Sequence, residues 1–175
     1  MNGLRAADVT ERVAAIAALQ ARGSATPVEI DALVACLGDD SKPVQRRAAD
    51  ALLAVQQAGV PVVDRVRPAL AAATLRHRWG AAYALSRLGA LDTTVLPVLV
   101  EVLGSDDGDR RWAAAQMVVA LAADPALLPA LLAMLAAPNA LARKMALYCL
   151  RDLGLAWDGS DRVVMVALAD ADSAV

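Results

Sequence analysis

Arg78-Trp-Gly-Ala-Ala-Tyr-Ala-Leu85 has four relatives elsewhere in the same chain, each 32 or 33 residues from the next. The copies share an Ala at their fourth position, and four of the five begin with Arg, whereas the second begins with Gln45. They cover residues 12–19, 45–52, 78–85, 110–117 and 143–150. Repeats of this length predict similar units, each of which buries its apolar surface only against the units beside it.

A second apolar pattern lies upstream of the later copies. It ends at five leucines with the same spacing, namely Leu37, Leu70, Leu103, Leu135 and Leu168. Another apolar side chain stands four residues before each Leu and, in most units, seven residues before it. Apolar residues at positions i, i+3 and i+7 lie on one face of a helix. Each unit is therefore predicted to contain a first helix, a short turn and an antiparallel second helix that opens with Arg.

Capping residues indicate where these helices begin and end. Thr26-Pro27-Val28-Glu29 has the sequence of a capping box with Pro at the first helical position. Gly23, Gly89 and Gly154 follow second helices, where a left-handed residue is expected to end the helix. Both signals fall between the helical patterns, as the repeat requires.

The sequence thus predicts an all-α fold, a right-handed α-solenoid of about eight antiparallel helices that forms one domain over residues 1–175. Its predicted parts are an unpaired N-terminal helix at 8–23, repeat segments at 26–59, 61–89, 92–123 and 125–154, and an unpaired first helix of an incomplete repeat at 160–175. No further repeat covers the apolar face of Val163-Val-Met-Val-Ala-Leu168. Either the chain is a piece of a longer solenoid or this end binds something, with end-to-end self-association through the terminal helices as one prediction.

The helices that open with Arg and the acidic turns before them resemble the HEAT-repeat family over roughly residues 8–175. They are most similar to short bacterial HEAT-like repeats related to those of phycobilin lyases. The resemblance implies a structural ladder in which the repeated Arg pairs with an acidic turn residue between adjacent units. The Arg residues concerned are Arg12, Arg78, Arg110 and Arg143, and their partners would be Asp39 or Asp40 and Asp106, Asp107 or Asp109. A row of phosphate- or carboxylate-binding sites is the alternative interpretation of these Arg residues.

Composition limits the classes of function. Hydrophobic residues make up 58% of the chain and aromatic residues only 3%, which favours closely packed Ala-rich helices. A net charge of −2, from 17 basic and 19 acidic residues, argues against a nucleic-acid groove and a polybasic membrane patch. The N-terminus lacks the pattern of a signal peptide, so a cytoplasmic location is expected. Cys36 and Cys149 lie within apolar helical patterns and are predicted to be buried free thiols.

The exposed face of the second helices is the candidate binding surface. With Ala48 at the centre of the buried side, a rotation of about 100° per residue places Arg46 and Asp50 near the opposite side. The equivalent positions give two predicted rows, Arg46, Trp79, Arg111 and Lys144, and Asp50, Tyr83, Ala115 and Tyr148. In HEAT-like solenoids the second helices usually line the concave surface. The predicted partner-binding residues are Arg46, Trp79, Tyr83, Arg111, Lys144 and Tyr148, with Trp157 as a further aromatic side chain. The alternative is that these rings merely cover Ala-rich helix surface.

Nothing in the sequence indicates catalysis, a metal or a cofactor. His77 is the only histidine, so a metal site with two His ligands is impossible, and its register favours a partly buried packing role. The predicted function is a non-catalytic scaffold or adaptor that binds a protein or a peptide on the second-helix face. Two alternatives remain, a bilin lyase subunit or chaperone-like protein, suggested by the resemblance, and a nucleic-acid-binding protein, disfavoured by the charge.

Overall fold

The computed structural model describes residues 2–154, 165 and 169–172, which contain nine α-helices and no strand. The helices are α1 Val9–Arg22, α2 Pro27–Cys36, α3 Lys42–Gln57, α4 Val63–Val66, α5 Leu75–Arg87, α6 Leu96–Leu103, α7 Gly108–Ala120, α8 Leu127–Met134 and α9 Ala140–Leu153. The prediction of an all-α solenoid is confirmed. The described residues contain nine α-helices where the sequence predicted about eight, namely α1 and then four pairs of first and second helices.

The chain divides into two compact units, Met1–Leu91 (unit 1) and Asp92–Val175 (unit 2). In unit 1, α3 packs against α1, α2 and α5. Its core contains the leucines that the repeat predicted to be buried, and Leu33, Leu52 and Leu85 are fully buried. The second helix α3 thus packs both against its own first helix, α2, and against the second helices on either side, α1 and α5.

Unit 2 repeats this arrangement with α6, α7, α8 and α9. The second helix α9 contacts α6, α7 and α8, and α6 also packs against α7. Leu99, Leu103, Val118 and Leu131 are fully buried in its core. The apolar stripes of first and second helices therefore cover one another, as their helical spacing requires.

The helix ends follow the predicted capping chemistry. Thr26 and Glu29 form the capping box at the start of α2, in which each side chain binds the main-chain amide of the other residue. Gly23, Gly89 and Gly154 have left-handed conformations, with φ of 64°, 69° and 58°. These glycines follow α1, α5 and α9, so three of the second helices end where the sequence predicted.

Two elements differ from the predicted pattern. The first helix of the second pair is α-helical only over Val63–Val66 and continues as a 3-10 helix over Arg67–Ala71. Pro68 explains the change, because it lacks the amide that an α-helix would direct at the carbonyl four residues earlier. The helix α1, predicted to be unpaired, packs against a short 3-10 helix, Asn2–Arg5, in which Leu4 is buried. The predicted terminal helix at 160–175, with the apolar face of 163–168, lies outside the described residues except for 165 and 169–172.

A prediction follows from the close approach of α5 to the end of α2. A Cβ atom on Gly80 would lie 2.1 Å from the carbonyl oxygen of Leu37. Gly80→Ala is therefore expected to lower the free energy of unfolding by about 2 kcal/mol, since forcing extra volume into a closed site costs about 1–3 kcal/mol. Urea denaturation followed by circular dichroism measures it. Gly108→Ala is the control, because a Cβ there meets nothing nearer than the Arg111 guanidinium at 3.6 Å. Equal stability of the Gly80→Ala variant and the wild type would contradict the contact.

Candidate functional site

The repeated Arg binds the main chain of the turn before its helix. The Nη1 groups of Arg12, Arg78 and Arg143 each donate to the carbonyl oxygens five and six residues upstream, at 2.8 to 3.3 Å. Gln45 takes the same place in α3 and donates from its side-chain amide to the carbonyl of Asp39. The contact ties the first turn of a second helix to the end of the preceding connection.

In α7 this contact is made by Arg111 and not by Arg110. Arg111 Nη1 donates to the carbonyl oxygen of Ser105, six residues upstream, at 2.6 Å. Arg110 instead pairs with Asp107 of its own helix start, with 3.3 Å between Nε and Oδ2. Burial supports the same register, because the Ala at the fourth position of a copy that begins at Arg111 is Ala114, which is fully buried, whereas Ala113 is not. The sequence copy in α7 therefore runs over residues 111–118, and the prediction of 110–117 was one residue early.

Two of the repeated Arg residues also form bidentate ion pairs. Arg12 binds Asp39 through Nε at 2.9 Å and Nη2 at 3.0 Å, and Arg143 binds Asp170 through Nε and Nη2, both at 2.7 Å. In each pair the acid follows its Arg by 27 residues. The same offset from Gln45, Arg78 and Arg111 leads to Ala72, Ser105 and Pro138, which have no carboxylate. Within the described residues, Arg12 pairs with the predicted Asp39, Arg143 pairs with Asp170, which was not among the predicted partners, and Arg110 has a local pair with Asp107.

The structure places the predicted binding residues of unit 1 in unlike surroundings. Trp79 is only 6% exposed, so the prediction that it lies on an open face is wrong. The reason is that α5 is buried over most of its circumference, so no wide exposed face remains. Tyr83 is half-buried, with its ring centroid 6.1 Å from that of Trp79. Arg46 is exposed on α3, and Asp50 of the second row pairs with Arg87 at 3.1 Å.

The corrected register of α7 brings Trp112 into the first row in place of Arg111. It also replaces Ala115, which is 5% exposed, with Gln116 in the second row. Trp112 is 50% exposed. A signal for it was present in the sequence, because Arg78-Trp79 and Arg111-Trp112 are identical pairs 33 residues apart. Met117 and Val118 are both apolar, and choosing Met117 as the last residue of the copy set its start at Arg110, so that Trp112 was not aligned with Trp79.

Trp112 forms a cluster with three residues of α9, which we call the Trp112 patch: Trp112, Lys144, Tyr148 and Arg151. The ring centroids of Trp112 and Tyr148 are 5.5 Å apart, with 31° between the ring planes. The Arg151 guanidinium carbon lies 4.9 Å from the Tyr148 centroid, and the Lys144 ammonium nitrogen lies 6.0 Å from it. Cations at these distances are attracted to the electron-rich face of the ring. The structure therefore brings together two predicted partner-binding residues, Lys144 and Tyr148, with Trp112 and Arg151, which were not among them.

The side chains of the patch are of types that proteins use in binding. It offers two aromatic surfaces and two cations, and Arg151 also pairs with Asp152 at 2.7 Å. Cys149, next to Tyr148 in sequence, is fully buried, and this burial raises the pKa of its thiol to about 12. The thiol is therefore protonated at neutral pH and turned away from solvent.

His77, the only histidine of the chain, is engaged in structural contacts. The Nε2 atom of His77 lies 2.9 Å from the carbonyl oxygen of Val34, and the ring packs where a side chain on Gly38 would stand. Within the described residues, no three His, Cys, Asp or Glu side chains are grouped so that they could hold a metal ion. None of the described helices is long and apolar enough to cross a membrane.

Comparison with known proteins gives one family match. Residues 30–119 match the family model for HEAT repeats. No curated protein sequence matches the chain. Similar solved structures include two engineered proteins of the Northeast Structural Genomics Consortium, each 20% identical to this chain. Both alignments cover 99% of this chain, and they cover 89% and 90% of the two engineered chains, with TM-scores of 0.48 and 0.47. A designed armadillo repeat protein is 18% identical, with 87% of this chain and 97% of that chain covered and a TM-score of 0.31. TM-scores of 0.48 or less support no conclusion about this chain.

The exchanged roles of Arg110 and Arg111 can be tested by stability. Arg111→Ala removes the contact with the Ser105 carbonyl and is expected to lower the free energy of unfolding by about 1 kcal/mol. Arg110→Ala removes only a partly exposed pair and should change it by about 0.5 kcal/mol or less. Parallel urea titrations of the two variants give the comparison. A larger loss for Arg110→Ala would show that the copy begins at residue 110.

The Arg143–Asp170 pair predicts an acid-sensitive contribution to stability. Hydrogen bonds from the Arg143 guanidinium lower the pKa of Asp170 from its usual 3.8 to about 2. Because this carboxylate ionises more readily in the folded protein, it stabilises the fold above about pH 4, and that contribution is lost as the pH falls towards 2. Asp170→Asn should therefore lower the melting temperature at about pH 6 and have little effect at about pH 2. Melting curves of both proteins across this range check it. An equal difference at the two ends of the range would contradict the proposed linkage.

Proposed function

This chain belongs to the HEAT-repeat family, and from that membership we propose that it is a non-catalytic scaffold that binds a protein or a peptide through the Trp112 patch. HEAT repeats generally mediate protein–protein interaction. The observation that carries the proposal is the half-exposed Trp112 ring, which stands beside Tyr148 with two cations at hand. Trp, Tyr and Arg are the side chains in which the energetic centres of protein interfaces are enriched.

The position of the patch on two packed helices supports this role. Trp112 belongs to α7 and the other three members to α9, and these helices contact each other within unit 2. Lys144, Tyr148 and Arg151 are spaced by four and three residues, so they lie along one face of α9. Side chains held on rigid helices lose less freedom when a partner binds, which favours affinity.

Of the remaining predicted residues, only Arg111 supports the proposed site. Arg111 fixes the start of α7 through the Ser105 carbonyl and thereby sets the direction of the neighbouring Trp112. Trp79 and Tyr83 pack together in unit 1. Arg46 is not part of the proposed site. Free, buried Cys36 and Cys149 agree with the cytoplasmic location that we retain as part of the proposal.

The two alternative functions receive less support. No feature of the described residues favours action on a bilin, and that alternative rests on the sequence resemblance alone. Nucleic-acid binding can use aromatic side chains as stacking platforms, and the Trp112 patch has such rings. Asp152 pairs with Arg151, however, and the two cations of the patch are fewer than the row of cations that successive phosphates require.

The proposed site can be tested with a double variant, Trp112→Ala/Tyr148→Ala. Proteins recovered on the immobilised wild type from the native lysate are identified by mass spectrometry, and their binding is then measured with purified components. Loss of a central aromatic side chain costs at least about 2 kcal/mol, so the affinity of a true partner should fall more than about tenfold.

Val28→Ala is the matched control, because Val28 is also a well-exposed apolar side chain, 55% exposed, but lies on α2 in unit 1. Circular dichroism must show that the double variant is folded. If a folded Trp112→Ala/Tyr148→Ala protein binds every partner as tightly as the wild type does, the patch is not the binding site.

A further inference from the structure

We infer that the segment recognised by the Trp112 patch is an acidic peptide, in which Asp or Glu residues flank an apolar or aromatic side chain. This inference rests on the proposed function and gives the chemical class of the partner. It follows from the charges that surround the exposed rings.

The cations of the patch outnumber its carboxylates. Lys144 makes no ion pair within the described residues, and its ammonium nitrogen lies over the Tyr148 ring. Arg151 shares its guanidinium between the Tyr148 ring and the Asp152 carboxylate, and Arg151 remains 64% exposed. The patch and Asp152 together thus carry two positive charges and one negative charge. A partner that supplies carboxylates would complete the pairing of Lys144 and gain charge-assisted hydrogen bonds.

The neighbours of Trp112 on α7 do not reverse this balance. Gln116, one turn after Trp112, is exposed and neutral. Asp109, three residues before it, already takes part in a polar interaction. Arg111 directs its guanidinium to the Ser105 carbonyl. The uncompensated charge close to the rings is therefore positive.

The net charge of the whole chain does not prevent acidic binding. Its value of −2 is spread over 17 basic and 19 acidic residues. Salt at physiological concentration screens exposed charges beyond about 8 Å, so the near cations determine what approaches the rings. The same argument disfavours a nucleic acid, which needs a longer row of cations for its successive phosphates.

The rings and the cations together specify more than charge. A Trp ring that is half exposed offers apolar surface to a side chain of the partner, while cations beside it reach carboxylates one or two residues away. A peptide with acidic residues alone would leave the rings uncovered. An apolar peptide would leave Lys144 without an anion. The combination of both features is what this surface fits.

The test uses synthetic peptides of equal length with a constant central Leu-Trp and a terminal fluorescein. The flanking residues are Glu in the first peptide, Gln in the second and Lys in the third, and an oligothymidylate of similar length is the fourth probe. Fluorescence anisotropy measures binding to the full chain at about 50 and 300 mM salt, between which screening of exposed charges increases markedly. The Glu peptide should bind at least about tenfold more tightly than the Gln peptide, and added salt should weaken its binding.

Charge reversal locates the contact. Lys144→Glu/Arg151→Glu should weaken binding of the Glu peptide at least tenfold and improve binding of the Lys peptide. The control Arg5→Glu/Arg47→Glu changes the net charge equally at two exposed residues of unit 1 and should leave both affinities within about twofold. This comparison separates a local effect from a general one.

Three results would overturn the inference: no binding of the Glu peptide, equal binding of the Glu and Gln peptides, or tighter binding of the oligothymidylate, which would indicate a nucleic-acid partner instead. Failure here is distinguishable from failure of the proposed function. If partner binding depends on Trp112 and Tyr148 but is unaffected by Lys144→Glu/Arg151→Glu, the binding site stands and its acidic specificity does not.

Discussion

A guanidinium or amide bound to main-chain carbonyl groups of the preceding turn fixes where each second helix begins. Arg12, Gln45, Arg78, Arg111 and Arg143 all make this contact. Once the start is fixed, helical geometry determines which side chains follow towards the core and which turn away. In α7 the contact at Arg111 places Ala114 and Val118 in the core and leaves Trp112 half exposed. One hydrogen-bonded position thus sets both the packing phase and the surface available to a partner.

The repeat itself could be predicted because its period involves many residues and its caps are local. The capping box at Thr26 and the terminal glycines act within a few residues of chain, so sequence alone determines them. The phase of α7 could not be predicted by hydrophobicity. Ala113-Ala-Ala115 offers three equivalent small residues, and Met117 and Val118 are both apolar, so a shift of one residue leaves the pattern almost unchanged. The hydrogen bond of Arg111, the burial of Ala114 and the repeated Arg-Trp pair distinguish the two registers.

The candidate site was predicted in part, because exposure depends on neighbours that a helical wheel does not contain. Trp79 and Trp112 both follow the anchoring Arg, yet they are 6% and 50% exposed. Trp79 meets Tyr83 one turn later on its own helix, whereas Trp112 meets Tyr148 from the next second helix. The same sequence position therefore serves packing in one unit and, in the proposed function, surface recognition in the other. Of the residues predicted from the sequence, Tyr148 packs beside this second tryptophan and Lys144 lies over the Tyr148 ring.

The contact between Gly80 and the Leu37 carbonyl limits how freely repeats of this chain can be exchanged. The two residues belong to successive repeats of unit 1, so the absence of a side chain in one repeat matches the main-chain path of the repeat before it. The corresponding positions of the other copies carry Ala14, Arg47, Ala113 and Met145. A consensus unit built from these copies would place a side chain against that carbonyl. An exchange of repeats would therefore preserve this contact only if α2 and α5 were transferred together.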